Sequence, residues 1–303
     1  MKLIKPSFTI IEQGPELEGI YRQIELAGRT CYKSEDKITP TSAKEFVDRM
    51  IKSGHGAMLE HGTVYLAIPE SDERGLPIFP DSLANNPHTK SALAYSIWHV
   101  TTNFRVLVEN NLLEYLKYLC EPTEYHEKRY TVKFTCDRGV THEFVRHRVF
   151  SFAQESTRYC NYSKDKFGKE VTFILPPWLD ENDPNLHRKA NYAVDEYGEC
   201  LTEYYYRIYE KGANEGMYVN THQTFAVALQ TAENLYFSLL ENGWKAQEAR
   251  AVLPNAVKAE LVMTGFISDW KHFFELRCAN TAHPQARELA LPLKAEFINK
   301  TYL

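Results

Sequence analysis

The 303-residue sequence contains no hydrophobic run long enough to span a bilayer, and residues 1–6 lack the apolar stretch of a secretory leader. It has no basic excess either: the formal net charge is −5, which argues against a nucleic-acid scaffold with a broad cationic face. With 44% hydrophobic and 25% charged residues, the composition is that of a folded protein with a sizeable core. These features predict a soluble cytoplasmic protein with no membrane and no nucleic-acid partner.

The 6 cysteines are scattered and never form a C-x-x-C pair. This spacing does not fit a zinc ribbon or a disulfide framework, so reduced thiols are expected. His142 and His147 give a near match to the metalloprotease motif, but they are five residues apart. On a helix this separation turns the two rings about 140° apart, so they cannot share a metal as an i, i+4 pair does. We therefore assign no metal site.

We predict an α+β fold, with an antiparallel sheet flanked by a largely helical second half; apolar periodicity supports the early strands and the later helices. Strands are predicted over 62–68 and 130–136, and a helix begins at Thr141. Further helices are predicted over 16–28, 42–52, 187–211, 222–242, 245–251, 256–275 and 284–299. Because no linker is evident, residues 1–303 are predicted to form one domain, with 69–129 as an insertion whose first part is a surface excursion.

The densest chemical signal is Arg146-His147-Arg148, followed after seven residues by Ser156-Thr157-Arg158. Guanidinium groups are planar, bidentate donors suited to phosphate, and serine hydroxyls complete such a cradle. The alternative is a solvated basic helix face paired to acids elsewhere. Aromatic residues interleave with the charges and favour the phosphate interpretation, because poorly solvated charges need a partner; they are Phe150, Phe152 and Tyr159.

A second cluster lies in the C-terminal third, where Arg250 precedes a Leu-Pro pair and Arg277 ends a predicted helix. On that helix Phe273, Leu276 and Arg277 share one face, so an apolar face carries an arginine at its edge. The pattern is equally that of a snorkelling arginine. A third candidate segment, 54–61, joins the second helix to the first strand.

Together these segments resemble the flavin-dependent thymidylate synthase family, whose signature is R-H-R, seven residues and then Ser. The matched regions, 16–68 and 130–292, cover more than two thirds of the chain. The supporting matches follow in family order: Gly54-His55-x-x-x-x-Glu60-His61, Ala249-Arg250-x-x-Leu253-Pro254, His272-Phe273-x-x-Leu276-Arg277 and Ala282-His283-Pro284-Gln285.

The resemblance implies methylation of dUMP to dTMP with FAD, with 5,10-methylenetetrahydrofolate as one-carbon donor and NADPH as reductant, in a homotetramer whose sites are shared between subunits. It implies that one-carbon transfer passes through the flavin and not through an enzyme cysteine. Arg277, at the uracil edge, is the implied catalytic residue. The implied dUMP ligands are Glu143, Arg146, Gln154, Glu155, Ser156, Thr157, Arg158, Arg250 and Arg277. The implied FAD ligands are Ala57, Arg146, His147, Arg148, Gln154 and His272.

Two positions depart from the family pattern. Many relatives carry Asn-x-Arg where this chain has Phe266-Ile267-Ser268, and a hydroxyl residue where it has Ala57. Two alternatives therefore stay open. One is a non-catalytic nucleotide-binding relative that lost the flavin chemistry, and the other is a flavoprotein that acts on a different pyrimidine.

Overall fold

The computed structural model describes residues 1–187, the short segments 193–194 and 200–201, and residues 221–303. The helix predicted over 187–211 lies outside the described residues for most of its length. The chain forms two compact units, one from Met1–Lys5 with Asn161–Val257 and a larger one from Pro6–Cys160 with Lys258–Leu303.

The secondary structure alternates between strands and helices along the chain. The strands are β1 (Lys2–Ile4), β2 (Ser7–Ile11), β3 (Thr63–Pro69), β4 (Lys90–Ala94), β5 (Ile97–Asn103), β6 (Arg129–Asp137), β7 (Ser151–Gln154), β8 (Thr172–Ile174), β9 (Ala193–Val194), β10 (Cys200–Leu201) and β11 (Lys258–Phe266). The helices are α1 (Glu16–Tyr32), α2 (Ser42–Lys52), α3 (Gly56–Leu59), α4 (Asp81–Ala84), α5 (Phe104–Glu109), α6 (Arg138–Phe144), α7 (Thr221–Glu241), α8 (Ala246–Ala249), α9 (Ile267–Arg277) and α10 (Pro284–Asn299). Short 3-10 helices span Glu35–Lys37, Leu113–Tyr118, Asp165–Phe167, Pro184–His187 and Arg250–Val252.

An antiparallel four-stranded sheet in the order β2-β6-β11-β7 organises the larger unit. One of its faces packs against α6, α9 and α10 in a core that is rich in aromatic residues. Phe134 and Met263 from the sheet meet Phe144, Phe273 and Leu289 from these helices, and each is at most 2% exposed. Burial of this apolar surface is the main stabilising term for the arrangement. The predicted α+β class with an antiparallel sheet is confirmed.

The helix predicted over 256–275 is wrong in its first half, which forms β11, and only the second half is helical. The strand lies between β6 and β7 in the sheet, and residues 261–266 are all buried, so they do not alternate as a half-exposed strand does. Gly265 allows close packing there, because a β-carbon at this position would lie 2.5 Å from the Phe150 ring.

A second antiparallel sheet of the larger unit has the strand order β3-β5-β4. Val64, Leu66 and Ile68 of β3 are fully buried against residues of α1 and α2, which confirms the predicted strand and its inward face. The strands β4 and β5 come from the 69–129 segment, and Val100 and Phe104 of that segment are buried in the same core. This segment therefore forms part of a sheet in addition to its exposed 70–77 loop.

The smaller unit contains the parallel pair β1 and β8 and the helices α7 and α8. The helix predicted over 222–242 is confirmed by α7, and the one over 245–251 is divided into α8 and a 3-10 turn. Glu233 of α7 accepts a hydrogen bond of 2.7 Å from the Val171 amide. Among the described residues, no helix combines the length and apolarity that a membrane crossing requires.

Candidate active site

The Arg146–Arg148 segment forms a turn between α6 and β7. Helix α6 begins at Arg138, three residues before the predicted start at Thr141. Asp137 is its N-cap, because the Asp137 carboxylate accepts a 2.7 Å hydrogen bond from the Val140 amide. Strand β7 then separates this turn from Ser156. Helix α6 and strand β7 thus fix the positions of the two turns, at 146–148 and 156–158.

The side chains of Arg146, Arg148 and Arg158 are exposed. The expectation that neighbouring aromatic residues leave these charges poorly solvated is therefore wrong. The alternative of a basic helix face paired to acids is not observed either, since none of the three arginines forms an ion pair within the described part of the chain. These guanidinium groups are free to bind an anion.

Arg277 lies at the end of α9, and its guanidinium group binds α6 and the turn that follows it. Its Nη1 donates to Glu143 Oε2 at 2.6 Å and its Nη2 to the Glu143 carbonyl oxygen at 2.7 Å, while Nε donates to His147 Nε2 at 2.9 Å. Burial lowers the pKa of Arg277, Glu143 opposes this shift and Arg146 adds to it. The expected apolar face is incomplete, since Leu276 is 49% exposed.

His147 is buried and neutral. Burial, followed by the charges of Arg277 and His272, lowers the pKa of His147 to about 4. Its Nε2 therefore keeps the lone pair that accepts the Arg277 hydrogen bond. The centroids of the His147 and His272 rings are 6.3 Å apart. The structure thus brings together five of the predicted site residues: Glu143, Arg146, His147, His272 and Arg277.

The turn at residues 156–158 follows β7 and is held by the backbone. The Ser156 amide donates to the Cys31 carbonyl oxygen at 3.0 Å, and Ser156 Oγ accepts from the Arg158 amide at 3.4 Å. Because the hydroxyl oxygen is the acceptor there, its hydrogen remains able to donate to a ligand. The Arg158 guanidinium lies 5.7 Å from the Tyr159 ring centroid, and Thr157 is buried.

Glu155, directly before this turn, is buried in a network of ion pairs that the sequence did not reveal. Its carboxylate accepts from Lys258 Nζ at 2.7 Å and from the Glu260 amide at 3.1 Å. Glu260 in turn pairs with Lys33 at 2.5 Å and with Lys133 at 3.2 Å. Burial raises the pKa of Glu260, but Lys258, Lys33 and Lys133 outweigh it and lower the pKa to about 2.

The remaining predicted residues occupy separate places. Gln154 Nε2 donates to Thr141 Oγ1 of α6 at 2.9 Å, so this amide connects β7 to the helix. Ala57 is exposed on α3. Arg250 belongs to the smaller unit, where it begins a 3-10 turn and is half-buried.

The segment at Phe266–Ser268 contacts a cation from the 69–129 segment. Lys90 Nζ donates to Ser268 Oγ at 2.6 Å, pairs with Glu127 at 2.9 Å and lies 4.7 Å from the Phe266 ring centroid. Arg129 lies 5.5 Å from the centroid of the same ring. The Lys90 ammonium group therefore lies beside Ser268, the position at which the family pattern has an arginine.

A cavity of about 440 Å³ in the larger unit lies apart from these residues. Concave pockets are the usual first candidates for ligand sites. However, none of the predicted site residues lines this cavity, and its charged lining includes three carboxylates, Glu12, Glu16 and Glu121. The chemistry of phosphate binding favours the cluster of exposed arginines as the candidate site.

The chain is similar to several known proteins. The family model described as thymidylate synthase complementing protein matches residues 111–301, a range that contains both arginine clusters. A flavin-dependent thymidylate synthase of Corynebacterium glutamicum is 25% identical over 283 residues, which cover 93% of this chain and 76% of the relative. The enzyme of the same description from Mycobacterium avium is 25% identical over 288 residues, covering 94% and 76% respectively.

Among solved structures, a UMP/dUMP methylase, PolB, from Streptomyces cacaoi bound with 5-Br dUMP matches with a TM-score of 0.41 and 16% identity. The match covers 99% of this chain and 93% of that chain. This structural likeness is too distant to carry an argument.

Proposed function

Since this chain belongs to the thymidylate synthase complementing protein family, we propose that it is a flavin-dependent thymidylate synthase, which methylates dUMP to dTMP. The main support for this proposal is a set of exposed arginines that have no acidic partner in the described part of the chain: Arg146, Arg148 and Arg158. In a protein of net charge −5, unpaired arginines in one short motif favour an anionic ligand. The family match confirms the predicted enzyme class, and it does not favour the non-catalytic alternative.

The dUMP phosphate, in this proposal, binds to the turn at residues 156–158. Arg158 supplies the charge and Ser156 donates its hydroxyl hydrogen, which the turn leaves unused. Arg250 is a further proposed dUMP ligand, on the resemblance to the family alone. The further proposed dUMP residues are Gln154, Glu155 and Thr157 beside this turn, and Glu143 and Arg146 at the end of α6.

Arg277 is the proposed catalytic residue and acts at the uracil ring. Its three hydrogen bonds to Glu143 and His147 fix the orientation of the guanidinium group before substrate binds. A fixed cation beside the pyrimidine stabilises the negative charge that develops when uracil C5 acts as a nucleophile. The neutral state of His147 keeps a further positive charge away from the same place.

FAD is the proposed cofactor, and the donor set fits it. Arg146 and Arg148 offer exposed guanidinium groups for the pyrophosphate, while His147, His272, Gln154 and the backbone at Ala57 are further proposed contacts. When bound, the reduced flavin supplies the electrons of the reductive methylation. At the departure Phe266–Ser268, Lys90 donates to Ser268, and the same ammonium group is paired with Glu127.

We extend the proposal to the co-substrates and the assembly. The one-carbon donor is 5,10-methylenetetrahydrofolate, the reductant is NADPH, and the enzyme works in the cytoplasm as a homotetramer whose sites are shared between subunits. These assignments rest on the resemblance to the family. Size-exclusion chromatography with light scattering tests the tetramer, and initial rates with NADPH and NADH test the reductant.

The reaction itself is tested by tritium release from dUMP labelled at C5. We expect release that depends on FAD, on 5,10-methylenetetrahydrofolate and on a nicotinamide reductant, together with flavin absorbance in the purified protein. A protein that binds dUMP but takes up no flavin at saturating FAD would instead be a nucleotide-binding relative. Release with UMP in preference to dUMP would assign another pyrimidine substrate.

A further inference from the structure

The ion pair between Lys258 and Glu155 lies directly behind the turn at residues 156–158. Glu155 has a side chain only 1% exposed, and the Lys258 ammonium group at 2.7 Å is its hydrogen-bonded cationic partner, while the charge of Lys33 acts on it from farther away. The backbone connects the same elements, since the Glu155 amide donates to the Glu260 carbonyl oxygen at 2.8 Å. Lys258 therefore begins β11, the strand that pairs with β7, and also neutralises Glu155, the residue that precedes the turn.

A buried carboxylate at this position has an electrostatic consequence for any anion bound at Ser156. Like charges repel more strongly when protein shields them from water, and a phosphate monoester carries up to two negative charges. Without Lys258, Glu155 would keep only the more distant charge of Lys33 and would oppose the phosphate that the next residue binds. With Lys258 in place, the pair is neutral and the turn keeps the positive potential of Arg158.

We propose that Lys258 is a positioning residue for dUMP binding, which neutralises Glu155 so that the turn at residues 156–158 accepts a dianionic phosphate. This rests on the proposed function. It gives Glu155 an indirect role through Lys258 in place of direct contact with the nucleotide. Lys258 itself touches neither substrate nor cofactor in this proposal.

The test measures dissociation constants of the FAD-loaded protein for dUMP and for uncharged deoxyuridine, by calorimetry or by the change in flavin absorbance. For Lys258→Gln we expect dUMP binding to weaken at least ~10-fold and deoxyuridine binding to change less than ~2-fold, because only the phosphate senses the unpaired carboxylate. Glu155→Gln alone should tighten dUMP binding. The double variant, which removes both charges, should restore the wild-type constant to within ~3-fold.

A double variant that stays as weak as Lys258→Gln would overturn the proposal, because Lys258 would then act directly or through the fold. Equal weakening of dUMP and deoxyuridine would overturn it as well. Lys258→Arg keeps the charge and should bind dUMP normally, which keeps the test available if Lys258→Gln does not fold. Lys44→Gln, at an exposed lysine paired with Asp48, is the matched control. Wild-type protein that binds deoxyuridine and dUMP alike would contradict the proposed phosphate site itself.

Discussion

Arg277 binds Glu143 twice, through Nη1 to the carboxylate at 2.6 Å and through Nη2 to the backbone carbonyl oxygen at 2.7 Å. The second contact matters because this carbonyl oxygen lies in the last turn of α6, at the negative end of the helix dipole, where the Arg146 amide donates to it at 3.4 Å. One guanidinium group therefore joins the end of α6 to the end of α9. A single point charge cannot reproduce this geometry.

Arg277→Lys keeps the charge but loses the planar set of donors that reaches Glu143 and His147 together. We expect kcat/KM for dUMP methylation to fall by at least ~100-fold, about 2.7 kcal/mol of transition-state stabilisation. Oxidation of the reduced flavin by oxygen should persist, since it does not need the uracil ring. Arg22→Lys, at an exposed arginine paired with Glu18, is the matched control. A folded lysine variant with near wild-type efficiency would remove Arg277 from catalysis.

Arg158→Ala should weaken dUMP binding by about tenfold, equivalent to ~1.4 kcal/mol, because the exposed guanidinium group becomes desolvated only when the phosphate covers it. Deoxyuridine binding and FAD content should change little. Equilibrium dialysis with labelled nucleotide and nucleoside measures both constants. Arg74→Ala, in the exposed 70–77 loop, provides the comparison. Unchanged dUMP affinity in the Arg158 variant would place the phosphate elsewhere.

The arginine motif could be predicted from the sequence because its chemistry lies in one contiguous segment. Arg146–Arg148 and Ser156–Arg158 form two turns at the ends of one short strand, so the fold does not need to bring distant residues together. The early helices were predictable for a similar reason: α1 and α2 show the apolar period of half-buried helices. The local sequence pattern was therefore sufficient to predict the arginine motif and the helices α1 and α2.

The lysine network could not be predicted, because tertiary pairing creates it. Lys133 meets Glu260 only because β11 pairs with β6 in a register that sets Val262 opposite Lys133, which makes Glu260 its diagonal neighbour. The same buried strand lacks a clear alternation and was predicted as part of a helix. The alternating Lys258 and Glu260 were the available signal, and their meaning depended on recognising a strand.

None of the cysteines should be essential for methylation. Burial raises the pKa of Cys31, Cys120, Cys136 and Cys278, whereas a nucleophilic thiol needs a lowered pKa. Replacing each cysteine by alanine should leave tritium release measurable, with some loss of stability for the fully buried Cys136. Complete loss of activity in a folded, flavin-bound variant would instead indicate a covalent cysteine step.

Glu288 of α10 is a titratable group that the proposed reaction does not use. Burial, with a further contribution from Asp137, raises the pKa of Glu288 to about 7. Within the described residues its Oε1 is buried without a hydrogen-bond partner. Asp137 accepts a hydrogen bond from Gln285 and caps α6. An ionised Glu288 therefore repels the carboxylate that caps the helix carrying Glu143.

Glu288→Gln should therefore stabilise the protein at pH 8 and have little effect at pH 5. The folded pKa lies above the usual value of glutamate, so the folded state binds the extra proton, and wild-type stability falls as pH rises from about 4.5 through 7. Glutamine mimics the protonated form at every pH, and the gain should reach about 1 kcal/mol at pH 8 after allowance for solvent screening. Urea unfolding of variant and wild type between pH 5 and 8 measures the difference, in which titrations common to both cancel. A flat curve for Glu288→Gln would contradict the raised pKa of Glu288.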